Sequence, residues 1–156
     1  MAEPSPDRAW LLAAIEESRA SPLSTAAYAV GAIIVGQDGR ELARGHSRES
    51  DPYAHAEESA LSKLSGVDLA GATIYTSLEP CSARKSRPST CTELILEAGI
   101  RRVVFALREP PTFVHGFGAE LLQHQGIQVI EMSDLANAVQ QINERVIGAS
   151  HAHDQL

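Results

Sequence analysis

Both cysteines of this 156-residue chain fall in one stretch, "LEPCSARKSRPSTC", residues 78–91. Cys81 follows a proline, Cys91 comes ten residues later, and Arg84, Lys85 and Arg87 lie between them. A disulfide, a metal site and coincidence are three readings of that spacing. The N-terminus "MAEPSPDRAW" has prolines and acids where a signal peptide needs a basic start and an apolar run, so a cytoplasmic setting is expected. Thiols stay reduced there, which takes weight from the disulfide. Two thiolates and an imidazole make a good zinc site, and a catalytic zinc takes three protein ligands and keeps one open position. His55, in "HAE", supplies the imidazole. On a helix starting there, Glu57 sits in the first turn, near the metal and placed as a proton carrier instead of a ligand. Helix N-termini favour thiolate over thiol, which helps Cys91 and Cys81 to bind metal.

The elements that must position these residues follow from periodicity and turn signals. Trp10, Leu11, Ala14 and Ile15 share one face of a first helix, with Asp7 as its cap and Pro22 beyond its end. "AYAVGAIIVGQDGRELARGHS" reads as a hairpin, with strands near 28–35 and 40–46. A helix runs from about 55 and ends at Gly66. A buried strand covers 72–77, and a helix from about 91 is capped by Gly99. "RRVVFAL" and "IQVIEM" are strands flanking a helical "FGAELLQHQG". Leu135, Val139, Ile142 and Val146 mark one face of a last helix over 134–147, read as packing or a subunit contact. Strands alternate with helices after the hairpin, which predicts parallel neighbours. The expected fold is α/β: a three-layer α-β-α sandwich around a five-stranded mixed sheet. His55, Cys81 and Cys91 each follow a strand or open a helix, so all three fall at one edge of that sheet.

Bulk composition sets the outer limits. The length is that of a single domain, 1–156, with loose ends at about 1–6 and 149–156. Hydrophobic residues make up 44% but aromatics only 4%, so the core is built from Ala, Leu, Ile and Val. No apolar run reaches membrane-spanning length. A net charge of −7 argues against a nucleic-acid partner, because phosphate neutralisation needs a basic surface. A small phosphorylated ligand held by a local basic cluster remains compatible with it.

"HAE" followed by "PC" and a further cysteine resembles the zinc-dependent cytidine-deaminase superfamily, whose signature pairs H-x-E with P-C-x-x-C. The Cys-x9-Cys spacing here is similar to the deaminase branch of riboflavin biosynthesis. "TIYTSLEPCS", "LEAGIRRVVFALREPPTFVHGFG" and "LLQHQGIQVIE" resemble segments of that branch, with Glu109 where it has Asp, and the likeness covers roughly 25–132. The resemblance implies His55, Cys81 and Cys91 as ligands of one Zn2+ per chain and Glu57 as general acid/base. The implied reaction is hydrolytic deamination of a diaminopyrimidinone carrying a ribosyl- or ribityl-phosphate. The backbone amides of Ala56 and Ser82 would face the substrate ring. Arg84, Lys85 and Arg87, the densest basic cluster of the chain, would meet the phosphate, Arg87 foremost. Relatives form dimers or tetramers, so a homo-oligomer is expected. Many carry a fused reductase domain, for which 156 residues leave no room.

The sequence departs from that branch at two places. "TAAYAVG" has Ala27 and Tyr28 where the branch has an Asn for ribose contact, and Ser47 or Arg48 stands near the place of a His. These changes keep a second substrate class open: a nucleoside, a nucleobase, deoxycytidylate or a secondary-metabolite intermediate. A zinc-binding module without catalysis is a third reading, and such a module has no use for Glu57. Glu79 reads as a salt bridge or cap, Thr25 and His46 as hairpin surface, and His115 as part of a glycine turn. His124, His151 and His153 read as surface residues.

Overall fold

The computed structural model describes residues 6–83, 88–108 and 117–147. Its elements in chain order are α1 (Pro6–Glu17), a 3-10 turn Ser18–Ala20, β1 (Gly31–Val35), β2 (Glu41–His46), α2 (Ala56–Ser62) and β3 (Thr73–Leu78). They continue with α3 (Cys91–Ala98), β4 (Arg102–Leu107), α4 (Gly118–His124), β5 (Gln128–Glu131), a 3-10 turn Ser133–Leu135 and α5 (Ala136–Ile142). The sheet order is β2-β1-β3-β4-β5. β1 runs antiparallel to both β2 and β3, while β3, β4 and β5 are parallel. The five-stranded mixed sheet expected from the sequence is present, with its antiparallel part at the hairpin.

Strand alternation sorts the side chains into two apolar layers. Ala32, Ile34, Ile74, Leu78 and Val103 join Ala56, Ala60, Ile95 and Leu122 in one, so α2, α3 and α4 cover that face. Ile33, Val35, Tyr75 and Val104 join Leu11, Ala14, Ile15 and Val139 in the other, under α1 and α5. α2 lies directly on β2. A Cβ at Gly45 would come 2.6 Å from both the Ala56 carbonyl oxygen and the Ala60 nitrogen, so only glycine permits that approach. Among the described residues, no helix is long and apolar enough to cross a membrane.

Three local expectations are corrected by tertiary contacts. Asp7 lies inside the first turn of α1 and not at its cap; Arg102 donates to its two oxygens at 2.8 and 2.6 Å, and the Tyr75 hydroxyl donates at 2.7 Å. The Arg102 hydrogen bonds hold the Asp7 carboxyl below its usual range, and burial, then Asp7, pushes the Tyr75 phenol up to about 12. α2 stops at Ser62, four residues short of Gly66, as the Lys63 ammonium turns to the Arg44 carbonyl at 2.6 Å. The last helix is interrupted at Asn143, whose amide side chain turns to the backbone of Ala29. Gly99, with φ 84°, ends α3 as its sequence signalled.

Candidate active site

His55 is the residue before α2, and its extended backbone (φ −89°, ψ 157°) is fixed from both sides. Glu58 Oε1 accepts its N–H at 3.2 Å, and Arg48 N–H to Ala54 O at 2.7 Å closes the preceding loop. Cys81 comes three residues after β3, held by Thr92 N–H to its carbonyl at 3.2 Å. Cys91 opens α3, whose N-terminus is capped by the Thr90 hydroxyl accepting from Glu93 N at 3.2 Å. The metal-ligating atoms of His55, Cys81 and Cys91 all lie within 4.8 Å of one another. His55 Nδ1 is 3.6 Å from Cys81 Sγ and 3.3 Å from Cys91 Sγ. A tetrahedral zinc with its usual Zn–S and Zn–N bonds separates sulfur from nitrogen by about 3.6 Å, so this donor set fits the ion. The cysteines are both free and buried, which leaves the disulfide reading without support.

The hydrogen bond with Cys91 draws the Cys81 thiol down to about 4, helped by His55 and by the Cys91 backbone N–H at 3.2 Å. The same hydrogen bond pushes the fully buried Cys91 thiol up, with burial and then Glu57 adding to it.

Glu57 is 3% exposed and lies in the first turn of α2, on the same side of the sheet as the cysteines. Thr76, fully buried on β3, donates its hydroxyl to Glu57 Oε1 at 2.5 Å. The Leu78 carbonyl lies 3.1 Å from the same hydroxyl, which therefore has a second acceptor within reach. Sequence reasoning missed Thr76. Its signal was a hydroxyl at the fourth position of "TIYTSL", two residues on from Ile74 and two before Leu78, and so on the apolar face that meets α2.

The other expected residues divide in three groups. Ala56 is buried at the start of α2. Ser82 stands beside the cluster, its Oγ accepting the Phe117 N–H at 3.2 Å. Arg84, Lys85 and Arg87 lie outside the described residues, as do Glu109, His115, His151, His153 and the expected loose ends, except Pro6, which opens α1. Glu79 is 2% exposed and its Oε2 accepts the Ala119 N–H at 2.9 Å, tying the start of α4 to the metal loop. His46 is half-buried beside Glu49, at 3.7 Å.

Residues 4–107 match the family described as the cytidine and deoxycytidylate deaminase zinc-binding region. This chain belongs to that deaminase family. The matched span contains His55, Glu57, Cys81 and Cys91. Within the family, the chain is 40% identical over 126 residues to the diaminohydroxyphosphoribosylamino-pyrimidine deaminase of Schizosaccharomyces pombe, covering 78% of this chain and 31% of the relative. A bifunctional deaminase/reductase structure from Thermotoga maritima is 34% identical, with a TM-score of 0.81 over 95% of this chain and 42% of that one. The Rib2 deaminase of Aspergillus oryzae, 24% identical with a TM-score of 0.82, shares the fold over 96% of this chain and all of its own. The chain spans about a third or less of the length of the curated relatives it matches.

Proposed function

We propose that this chain is a zinc-dependent hydrolytic deaminase of the riboflavin pathway, acting on a diaminopyrimidinone that carries a ribosyl- or ribityl-phosphate. The observation that carries this reading is the buried Glu57 beside the gathered His55, Cys81 and Cys91. The 40% identity to a deaminase named for that substrate supports the pathway. His55, Cys81 and Cys91 would hold one Zn2+ per chain, which when bound lowers the pKa of a coordinated water to about 7. Glu57 takes one proton of the attacking water and delivers it to a ring nitrogen, then takes the remaining proton of the added hydroxyl and passes it to the leaving amine as the carbonyl forms. One C–O bond forms, the exocyclic C–N bond breaks, and ammonia departs. The Ala56 and Ser82 backbone amides orient the ring oxygen. Arg84, Lys85 and Arg87 bind the phosphate, with Arg87 as the principal contact. We place the enzyme in the cytoplasm as a single-domain homo-oligomer, with neither nucleic acid nor membrane as partner.

A second reading, deamination of another aminated heterocycle, is favoured by one feature. The 27–29 segment offers no side-chain amide: Tyr28 is packed in the apolar layer with Ala56, and Ala29 is held by its backbone. The deciding experiment measures ammonia release from the riboflavin diaminopyrimidine phosphate, cytidine, deoxycytidylate, adenosine and guanine. Release from the first alone is expected. Activity confined to unphosphorylated compounds would overturn the pathway assignment and the phosphate role of Arg87.

Thr76 positions the Glu57 carboxylate in this scheme. Replacing it by Val removes one hydrogen bond to a charged group, so kcat should fall about 10–100-fold with KM and zinc content unchanged. Thr76→Ser restores the hydroxyl and should restore most of kcat. Steady-state kinetics on the three proteins checks this.

A further inference from the structure

α4 starts without a cap of its own. The first N–H groups of a helix have no partner inside it, and a polar side chain just before the helix normally accepts one from the second or third helical residue. In a capping box, the side chain of the third helical residue accepts the N–H of that preceding residue in return. Here the preceding residue is Phe117, whose ring accepts no hydrogen bond from the helix. The third helical residue, Glu120, has its Oε1 on Arg108 at 2.7 Å.

Both bonds come from the metal loop instead. Glu79 Oε2 accepts the N–H of Ala119, the second residue of α4, at 2.9 Å. Ser82 Oγ accepts the N–H of Phe117 at 3.2 Å. Between these two bonds the Pro80 carbonyl oxygen sits so close to Gly118 that a Cβ there would collide with it. Cys81 belongs to the same run, and its carbonyl accepts the Thr92 N–H of α3 at 3.2 Å. The loop is thus gripped by α4 on either side of Cys81 and by α3 at Cys81 itself. Glu79 is also fixed at its backbone, where its N–H donates to the Leu107 carbonyl at 2.8 Å. Its side chain is completely buried, with Arg108 Nη1 3.9 Å away. That guanidinium has two nearer carboxylates, Glu120 at 2.7 Å and Glu131 at 3.0 Å.

We propose that Glu79 is a positioning residue of the metal centre: it caps α4 from 40 residues away and so fixes the backbone that aims Cys81 Sγ at His55 Nδ1. The inference rests on the reading of His55, Cys81 and Cys91 as the zinc site. What the geometry requires of residue 79 is an acceptor at the reach of its Oε2. Its charge is secondary, because Arg108 is already neutralised by nearer partners.

The test measures zinc affinity by chelator competition on the zinc-loaded full chain, and the visible ligand-field bands of the cobalt-substituted full chain. Glu79→Ala should weaken zinc about 10–100-fold, as loss of a group supporting a ligand does, and should shift the cobalt bands. Glu79→Asp keeps the charge but withdraws the oxygen by one methylene, and should weaken zinc about 10-fold or more. Glu79→Gln keeps an acceptor at full reach and should match the parent in both readouts. So should Glu120→Gln, which removes an exposed partner of Arg108. If Glu79→Ala does not fold, the Asp and Gln variants decide. A Glu79→Asp protein that melts earlier yet keeps the parent's affinity and cobalt bands overturns the proposal, since the residue then only stabilises the fold. Weakened zinc in Glu79→Gln with parent affinity in Glu79→Asp overturns it too and assigns the effect to charge. A parent that binds no zinc, or a Cys91→Ser variant that binds it as the parent does, instead overturns the reading of the metal centre itself.

Discussion

Glu57→Gln is expected to keep its metal and lose turnover by about 10³- to 10⁴-fold, because in the proposed reaction one carboxylate serves as base and then as acid. The substitution is close to neutral in shape. The amide oxygen can still accept the Thr76 hydroxyl, and the volume at this 3% exposed position is preserved. What it removes is the ability to take and return a proton. Bulk water offers no substitute in so enclosed a place. Ammonia release measured alongside metal content separates the two effects, and turnover near the parent value would strip Glu57 of its role.

Cys91→Ser should have the larger effect on the protein itself. Cys91 is completely buried and its sulfur lies 3.3 Å from His55 Nδ1, so no other described group replaces it as a ligand. A supporting residue around a metal costs about 10–100-fold in affinity, and a direct ligand costs more. Metal content should drop from one per chain to a small fraction. At metal about 1,000-fold above Kd the parent gains about 4 kcal/mol from binding, and losing it lowers the thermal midpoint by roughly 8–16 °C. Elemental analysis with a melting curve checks both. A variant that retains stoichiometric metal would show that the ion sits elsewhere.

The order of elements was legible because the apolar period changes cleanly between strand and helix. The meeting of His55, Cys81 and Cys91 was legible because each lies where a strand gives way to a helix, and β2 and β3, on either side of the oppositely directed β1, end at the same edge. Gly99 was legible from its type alone. Contacts between distant segments were not. Asp7 looks like a cap until Arg102, 95 residues on, claims its carboxylate. Thr76 looks like one more strand residue until α2 lays Glu57 over it. Asn143 looks like the interior of a helix until segment 27–29 draws its amide away. In each case the local pattern states what a residue prefers, and a partner far along the chain decides what it does.

The antiparallel join of β1 to β3 has a consequence for folding fidelity. His55 and Glu57 belong to the part of the chain that carries β1, β2 and α2, whereas both cysteines belong to the part with β3 and α3. A chain arrested before the halves pair has an imidazole and a carboxylate on one side and two thiols on the other. Neither half can hold the ion with the proton carrier in place. The proposed site is thus assembled only once β1 and β3 pair, and a chain stopped before that step has neither ligand set nor proton carrier in place.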